Sequence, residues 1–168
     1  MPFTPFHFGP GLAIKGLIPN QFSFSVFALA NVAMDVEPLY RMWRVEMPLH
    51  GVSHTLTGAI LIGIGAALLG KTAITYGDRL LQRWRDDSDI SFRITWLQAW
   101  VGALLGTGSH LLLDALIHSD MHPFAPLTDA NPLLETEWIL PLHLVCIAAA
   151  MLGMILLLGR AAFQHSDA

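Results

Sequence analysis

Polar and apolar positions fall along this chain in blocks, and the blocks have helical lengths. Residues 5–17 and 22–36 are two short apolar blocks separated by Ile18-Pro19-Asn20-Gln21, where Pro and Asn favour a turn. Pro38 is expected to stop the second helix. Each predicted helix is roughly 20 Å long at 1.5 Å per residue, shorter than a ~30 Å hydrocarbon core. A re-entrant helical hairpin is therefore expected, and it returns Asp35 to the end where His7 begins.

Three longer blocks follow. A helix is expected to open near His50 and to run through a clean apolar stretch, residues 55–70. A second span covers residues 94–117, and a third covers 139–159 with His143 one turn in. Between the first two lies the most charged stretch, residues 71–93. Its bases (Lys71, Arg79, Arg83, Arg85, Arg93) balance its acids (Asp78, Asp86, Asp87, Asp89), so it reads as a solvated loop with a surface helix near residues 78–84. Residues 119–138 form a polar loop. The expected fold is all-α: a multi-pass membrane helical bundle of three full spans plus an N-terminal helical hairpin, one membrane-embedded domain over residues 1–168.

Composition agrees. Hydrophobic residues make up 54 %, charged residues only 13 %, and mean hydropathy is +0.53, which mark a membrane protein. The net charge of −4 argues against a nucleic-acid partner. The single cysteine, Cys146, excludes an intramolecular disulfide. No basic region precedes an apolar core at the N-terminus, so no cleavable signal peptide is expected.

The chemistry concentrates at the span ends. His110, Asp114 and His118 are spaced i, i+4, i+8 and share one helix face, a spacing that suits metal ligation. His50 and His54 are expected to share a face in the same way. Asp114 sits near membrane depth, where an unpaired carboxylate is expensive. Residues 107–121 hold no Lys or Arg, so a metal ion, or an Arg from elsewhere such as Arg41 or Arg44, must neutralise it. Positive residues favour the cytoplasm. The 71–93 segment and Arg160 supply six of them, against Arg41, Arg44 and an ambiguous Lys15 elsewhere. Seven of the eight histidines (His7, His50, His54, His110, His118, His122 and His143) then fall on the outer face, with His165 left in the tail. Imidazole and carboxylate without thiolate suit zinc, manganese or iron, and the number of groups favours two or more ions. No Gly-x-Ser-x-Gly elbow, phosphate loop or His-Glu-x-x-His occurs. A haem-binding or other non-catalytic metal-binding membrane protein is the alternative, with His54, His110 and His143 as haem ligands; Asp35 and Asp114 argue against haem.

Several short motifs, taken in order, resemble the family of membrane-bound metal-dependent hydrolases. They are Thr4-Pro5-Phe6-His7 with Gly9, Met34-Asp35-Val36-Glu37-Pro38, His50-Gly51-Val52-Ser53-His54-Thr55, Ser109-His110-Leu111-Leu112-Leu113-Asp114-Ala115 and His122-Pro123-Phe124-Ala125-Pro126. More distantly the arrangement is similar to zinc-dependent phospholipases C and single-strand nucleases. The resemblance implies that Asp35, His54, His110 and Asp114 hold one ion, that Asp114 bridges to a neighbouring ion on His7, and that Asp35 is the general base. The family's His-Arg-Gly-x-x-His is one residue shorter here, which leaves open whether His50 or His54 is the ligand. The downstream ligands of the soluble enzymes have no clean match; His118, Asp120, His122 or Glu137 are the candidates. The expected function is hydrolysis of a phospholipid or lipid-linked phosphate at the non-cytoplasmic face of a bacterial cytoplasmic membrane, with membrane lipid as partner.

Overall fold

The computed structural model describes residues 4–84 and 92–166, and these are helical with no strand among them. The order is α1 (Thr4–Leu17), α2 (Phe24–Arg44), a 3-10 turn (Val52–His54), α3 (Leu56–Trp84), α4 (Trp96–Ile117), a second 3-10 turn (Thr136–Trp138) and α5 (Ile139–Ser166). Three helices are long and apolar enough to cross a membrane: Leu56–Trp84, Trp96–Ile117 and Thr136–Gln164. Arg85, Asp86, Asp87 and Asp89 of the charged segment lie outside the described residues, as does the side chain of His165.

α4 is the axis of the bundle. Thr95 and Gln98 close its N-terminus as a reciprocal capping box: Thr95 Oγ1 accepts from Gln98 N at 3.2 Å, and Gln98 Oε1 accepts from Thr95 N at 2.7 Å. Small residues then let its neighbours approach closely, as between membrane helices. A Cβ on Gly102 would lie 2.5 Å from the Ser23 carbonyl oxygen, and one on Gly106 would lie 2.8 Å from that of Phe27. Val26, Ala30, Ala66, Ala67, Ala99 and Ala103 form the seam of α2, α3 and α4. Nearer the other end, Met34, Ala59, Leu111, Ala115 and Met121 form a second buried cluster.

α1 and α2 form a helical hairpin, but α2 is 21 residues long, about 30 Å at 1.5 Å per residue, rather than the short helix expected. The turn between them reaches the first turn of α4, where Gln98 Nε2 donates to the Asn20 carbonyl at 3.0 Å and Lys15 Nζ donates to the carbonyls of Pro19 and Phe22. α1 packs chiefly on α5; a Cβ on Gly9 would fall 2.0 Å from the Cys146 carbonyl oxygen.

Several sequence expectations are corrected. Pro38 does not stop α2, which runs to Arg44 and ends on Val45 in the left-handed region (φ 56°). A proline costs a helix one N–H bond and crowds the carbonyl four residues back. Here its ring is buried, and Arg41 pairs with Glu37 at 2.9 Å across the break. The helix predicted to open at His50 opens at Leu56, because residues 52–54 tighten into a 3-10 turn. Residues 71–84 are no loop, and the surface helix expected near 78–84 is the end of a longer one: α3 continues to Trp84. Asp78, read as solvated, is buried and accepts from Gln82 Nε2 (3.1 Å), the Phe92 backbone N–H (2.8 Å) and Arg93 Nε (3.3 Å). α5 likewise passes residue 159 and ends at Ser166.

Candidate metal centre

Asp114 is 1 % exposed and lies near the end of α4, one turn after His110. Among the described residues no arginine reaches it. Arg41 is committed to Glu37 and the Pro48 carbonyl (3.1 Å), and Arg44 faces Glu46 at 3.5 Å. Imidazoles surround it instead. Its Oδ2 lies 3.3 Å from His110 Nε2, 3.4 Å from His54 Nε2 and 3.9 Å from His50 Nε2. Its Oδ1 lies 3.2 Å from His7 Nε2 and 3.8 Å from His118 Nε2.

Two ligand groups share this carboxylate: Asp35, His54, His110 and Asp114, and then His50, Asp114 and His118, each with its ligand atoms within 4.8 Å of one another. In the first group His110 Nε2 is 3.3 Å from Asp35 Oδ1 and 3.3 Å from His54 Nε2. A tetrahedral ion with bonds of about 2.0–2.1 Å separates its ligand atoms by about 3.3–3.4 Å. Four of the separations in this group have that length. Asp114 Oδ2, His50 Nε2 and His118 Nε2 are also buried with no hydrogen bond of their own, although buried polar atoms ordinarily find a partner. The donor set thus fits a divalent cation by spacing, by charge and by its unsatisfied atoms.

The outer ring of contacts orients these ligands. Asn31, fully buried on α2, donates from Nδ2 to the Phe27 carbonyl at 2.9 Å, so its Oδ1 faces His110 Nδ1 at 3.1 Å. His110 therefore donates from Nδ1, and in the neutral ring Nε2 keeps its lone pair toward Asp114. His7 Nδ1 lies 3.0 Å from that same His110 Nδ1. Asp120 does the equivalent for His50: Oδ1 accepts from Nδ1 at 2.8 Å, while Oδ2 accepts from the backbone N–H of Leu49 (2.9 Å) and His50 (3.2 Å). Such carboxylate–histidine pairs fix the tautomer of metal-ligating imidazoles. Glu37 secures the turn carrying His54, accepting from the N–H of Ser53 at 2.7 Å and of Val52 at 3.3 Å. Ser53 Oγ lies 2.9 Å from His54 Nδ1.

Electrostatics around the centre follow from burial and these partners. Burial works to raise the Asp120 and Glu37 carboxyls, but hydrogen bonds from His50 in one case, and from Ser53 and Arg41 in the other, hold both below the ordinary value. Burial pushes His54 down, and pushes His118 to about 4, so both rings are neutral at pH 7 and available as ligands.

The structure gathers His7, Asp35, His50, His54, His110, Asp114 and His118 at one end of the bundle. His50 and His54 meet with ring centroids 4.8 Å apart, through the loop and 3-10 turn rather than along a helix face. His7 joins neither ligand group, its ring lying instead against Asp114 Oδ1 and His110 Nδ1, and neither does His122. Met121 and Pro123 on either side of it are buried, which turns His122 outward to bond the Asp129 carbonyl. His143 packs edge-on against Phe6, with centroids 4.5 Å apart. It lines a cavity of about 20 Å³ together with His7, Asp114 and Cys146, room for one water. The sequence reading assigned no role to Asn31 or Glu37, and weighed Asp120 only as a ligand. Asn31 had a signal: it is a polar residue in an apolar helix, one turn before Asp35 and on its face.

No family model, curated protein or solved structure matches this chain.

Proposed function

We propose that the protein is a divalent-metal-dependent hydrolase of the membrane surface, a phosphoesterase acting on a phospholipid or lipid-linked phosphate. The observation that carries this reading is the sharing of Asp114 between two ligand groups, one of them with tetrahedral spacing. Asp35, His54, His110 and Asp114 would hold one ion, and His50, Asp114 and His118 a second, with zinc the best match to an N/O donor set and manganese or iron the alternatives. Such a pair supplies Lewis acidity toward a phosphoryl group and acidifies a water molecule. The rest falls to the chain itself. Asp35, whose side chain is 12 % exposed against 1 % for Asp114, is the carboxylate best placed to accept a proton. His7 holds the second oxygen of Asp114, and Asn31 and Asp120 keep two imidazoles presented in one tautomer.

A lipid substrate is favoured by what lies beside the centre. The small cavity next to His7 and Asp114 is lined by α1, α4 and α5, and it shares Phe6 and Cys146 with a largely apolar hollow of about 270 Å³ along α1 and α5. That hollow suits an acyl chain whose headgroup is at the centre. The distribution of positive residues supports a centre on the non-cytoplasmic face, and the membrane we propose is a bacterial cytoplasmic one. A non-catalytic metal-binding role is the second reading. It is favoured over haem because two carboxylates fill the space where the imidazoles of His54 and His110 converge.

The test is elemental analysis of purified protein, followed by a screen of zinc- or manganese-loaded protein against phosphodiesters and lipid phosphates. Bound metal with hydrolysis that Asp35→Asn abolishes is expected. Bound metal with no hydrolysis across the screen would leave the non-catalytic reading, and no bound metal would end both.

A further inference from the structure

The far end of the bundle carries a second, separate constellation. Beyond Gly70, α3 presents Lys71, Thr75 and Arg79 at i, i+4, i+8, with Thr72 and Tyr76 on the adjacent row. Trp96, the first residue of α4, faces them. These six residues line a hollow of about 240 Å³. Trp96 is eighteen residues before Asp114 on α4, about 27 Å at 1.5 Å per residue, so the hollow is remote from the metal centre.

Among the described residues its electrostatics are one-sided, and no carboxylate of theirs lines it. The nearest acid in sequence, Asp78, is buried and bonded to Gln82, Phe92 and Arg93. The Lys71 ammonium lies 5.8 Å from the Trp96 ring centroid and spends one of its three N–H donors on Thr75 Oγ1 at 3.0 Å. Arg79 forms no ion pair among the described residues. Two positive charges with free donors therefore meet an indole and a phenol where the apolar stretch of α3 gives way to polar residues. Trp, Tyr, Lys and Arg collect at the headgroup level of a bilayer, and basic pockets between membrane helices bind anionic headgroups.

We propose that this hollow binds the phosphate of an anionic phospholipid headgroup, with Lys71 and Arg79 as the charge partners and Trp96 and Tyr76 as the interfacial walls. It serves as a lipid site on the leaflet opposite the metal centre. The proposal requires the bundle to sit in a bilayer and is independent of any hydrolase activity.

The experiment is a thermal-stability titration of the detergent-purified full chain with short-chain phosphatidylglycerol, phosphatidylcholine or inorganic phosphate. Lipid retention is read in parallel by native mass spectrometry. Phosphatidylglycerol should raise the melting temperature saturably, and phosphatidylcholine should not. Lys71→Gln with Arg79→Gln should weaken the half-saturating concentration by roughly thirtyfold, from two charges near the headgroup. Arg83→Gln, on the same helix but outside the hollow, should leave it unchanged, and metal content should be unaffected in every variant. An equal response to inorganic phosphate would replace the lipid with a soluble anion. An unchanged phosphatidylglycerol response in the double variant would overturn the site. Should the double variant fail to fold, Lys71→Gln alone, expected to weaken the response about fivefold, takes its place.

Discussion

Asp120 accepts a hydrogen bond from His50 Nδ1 at 2.8 Å, and the other nitrogen of that ring points at Asp114. The acid holding the imidazole is thus on the loop after α4, and the acid it faces is inside α4. Asp120→Asn should weaken retention of the second ion by about 10–100-fold, the usual cost of losing such a partner. Competition with a chromophoric chelator measures it. An affinity equal to the parent's would make Asp120 a loop staple only.

Asp114→Asn keeps the shape of the side chain and removes its charge. It should lose bound metal while the helices still insert. The melting temperature of the parent should fall on chelation and recover with zinc or manganese, by about 4 kcal/mol of linkage at a thousandfold excess over the dissociation constant. The variant should respond to neither. A parent indifferent to both would leave the buried carboxylate held by histidines alone.

Asn31→Leu removes the acceptor of His110 Nδ1 and frees that ring to turn. A cost of about 1–3 kcal/mol is expected from the unsatisfied buried group. Metal affinity should drop with it, which separates this effect from loss of packing. Asn31→Asp, which keeps the acceptor, should retain more metal than Asn31→Leu.

Gly9→Val should lift α1 from α5, since a Cβ there meets the Cys146 carbonyl at 2.0 Å. His7 rides on α1, so metal content and any hydrolysis should fall together. Gly65→Val, where a Cβ meets nothing within 4 Å, is the matched control and should be near neutral.

The metal-free protein should lose stability as pH falls. The folded His118 is held at about 4 by burial, below its unfolded value, so the unfolded chain binds more protons between the two. The stability it contributes is complete above about pH 6.5 and is lost on acidification toward pH 4, on the order of 3 kcal/mol at most. His118→Asn should flatten that part of the profile in denaturation midpoints measured across the range.

Much of this was legible because helix periodicity is local. The span ending at Ile117, the polar loop after it and the onset of α5 follow from runs of apolar residues alone. So does the His110–Asp114 pair, since its geometry is that of one helical turn. The hairpin's return of Asp35 to His7 was readable from the turn between the helices. What was not readable depends on tertiary context. Whether Pro38 ends a helix depends on whether its ring is buried and the break bridged. His50 and His54 meet as expected, but the means was not readable: they meet through a turn that Glu37, on another helix, holds in place, not along a helix face. Asp78 looked solvated because two of the groups that satisfy it, at Phe92 and Arg93, lie beyond the end of α3 and far from it in sequence.

The seam between α1 and α5 has a consequence for biogenesis. The surface α1 rests on, around Cys146 and Gly153, lies far downstream of α1 in the sequence. His7 is therefore carried by a helix whose support is synthesised long after it. Until α5 is in place, α1 lacks the partner that seats it, and Asp114 lacks the imidazole on its second oxygen. Closure of the centre is thereby tied to synthesis of α5 rather than to that of the helices bearing most of the ligands.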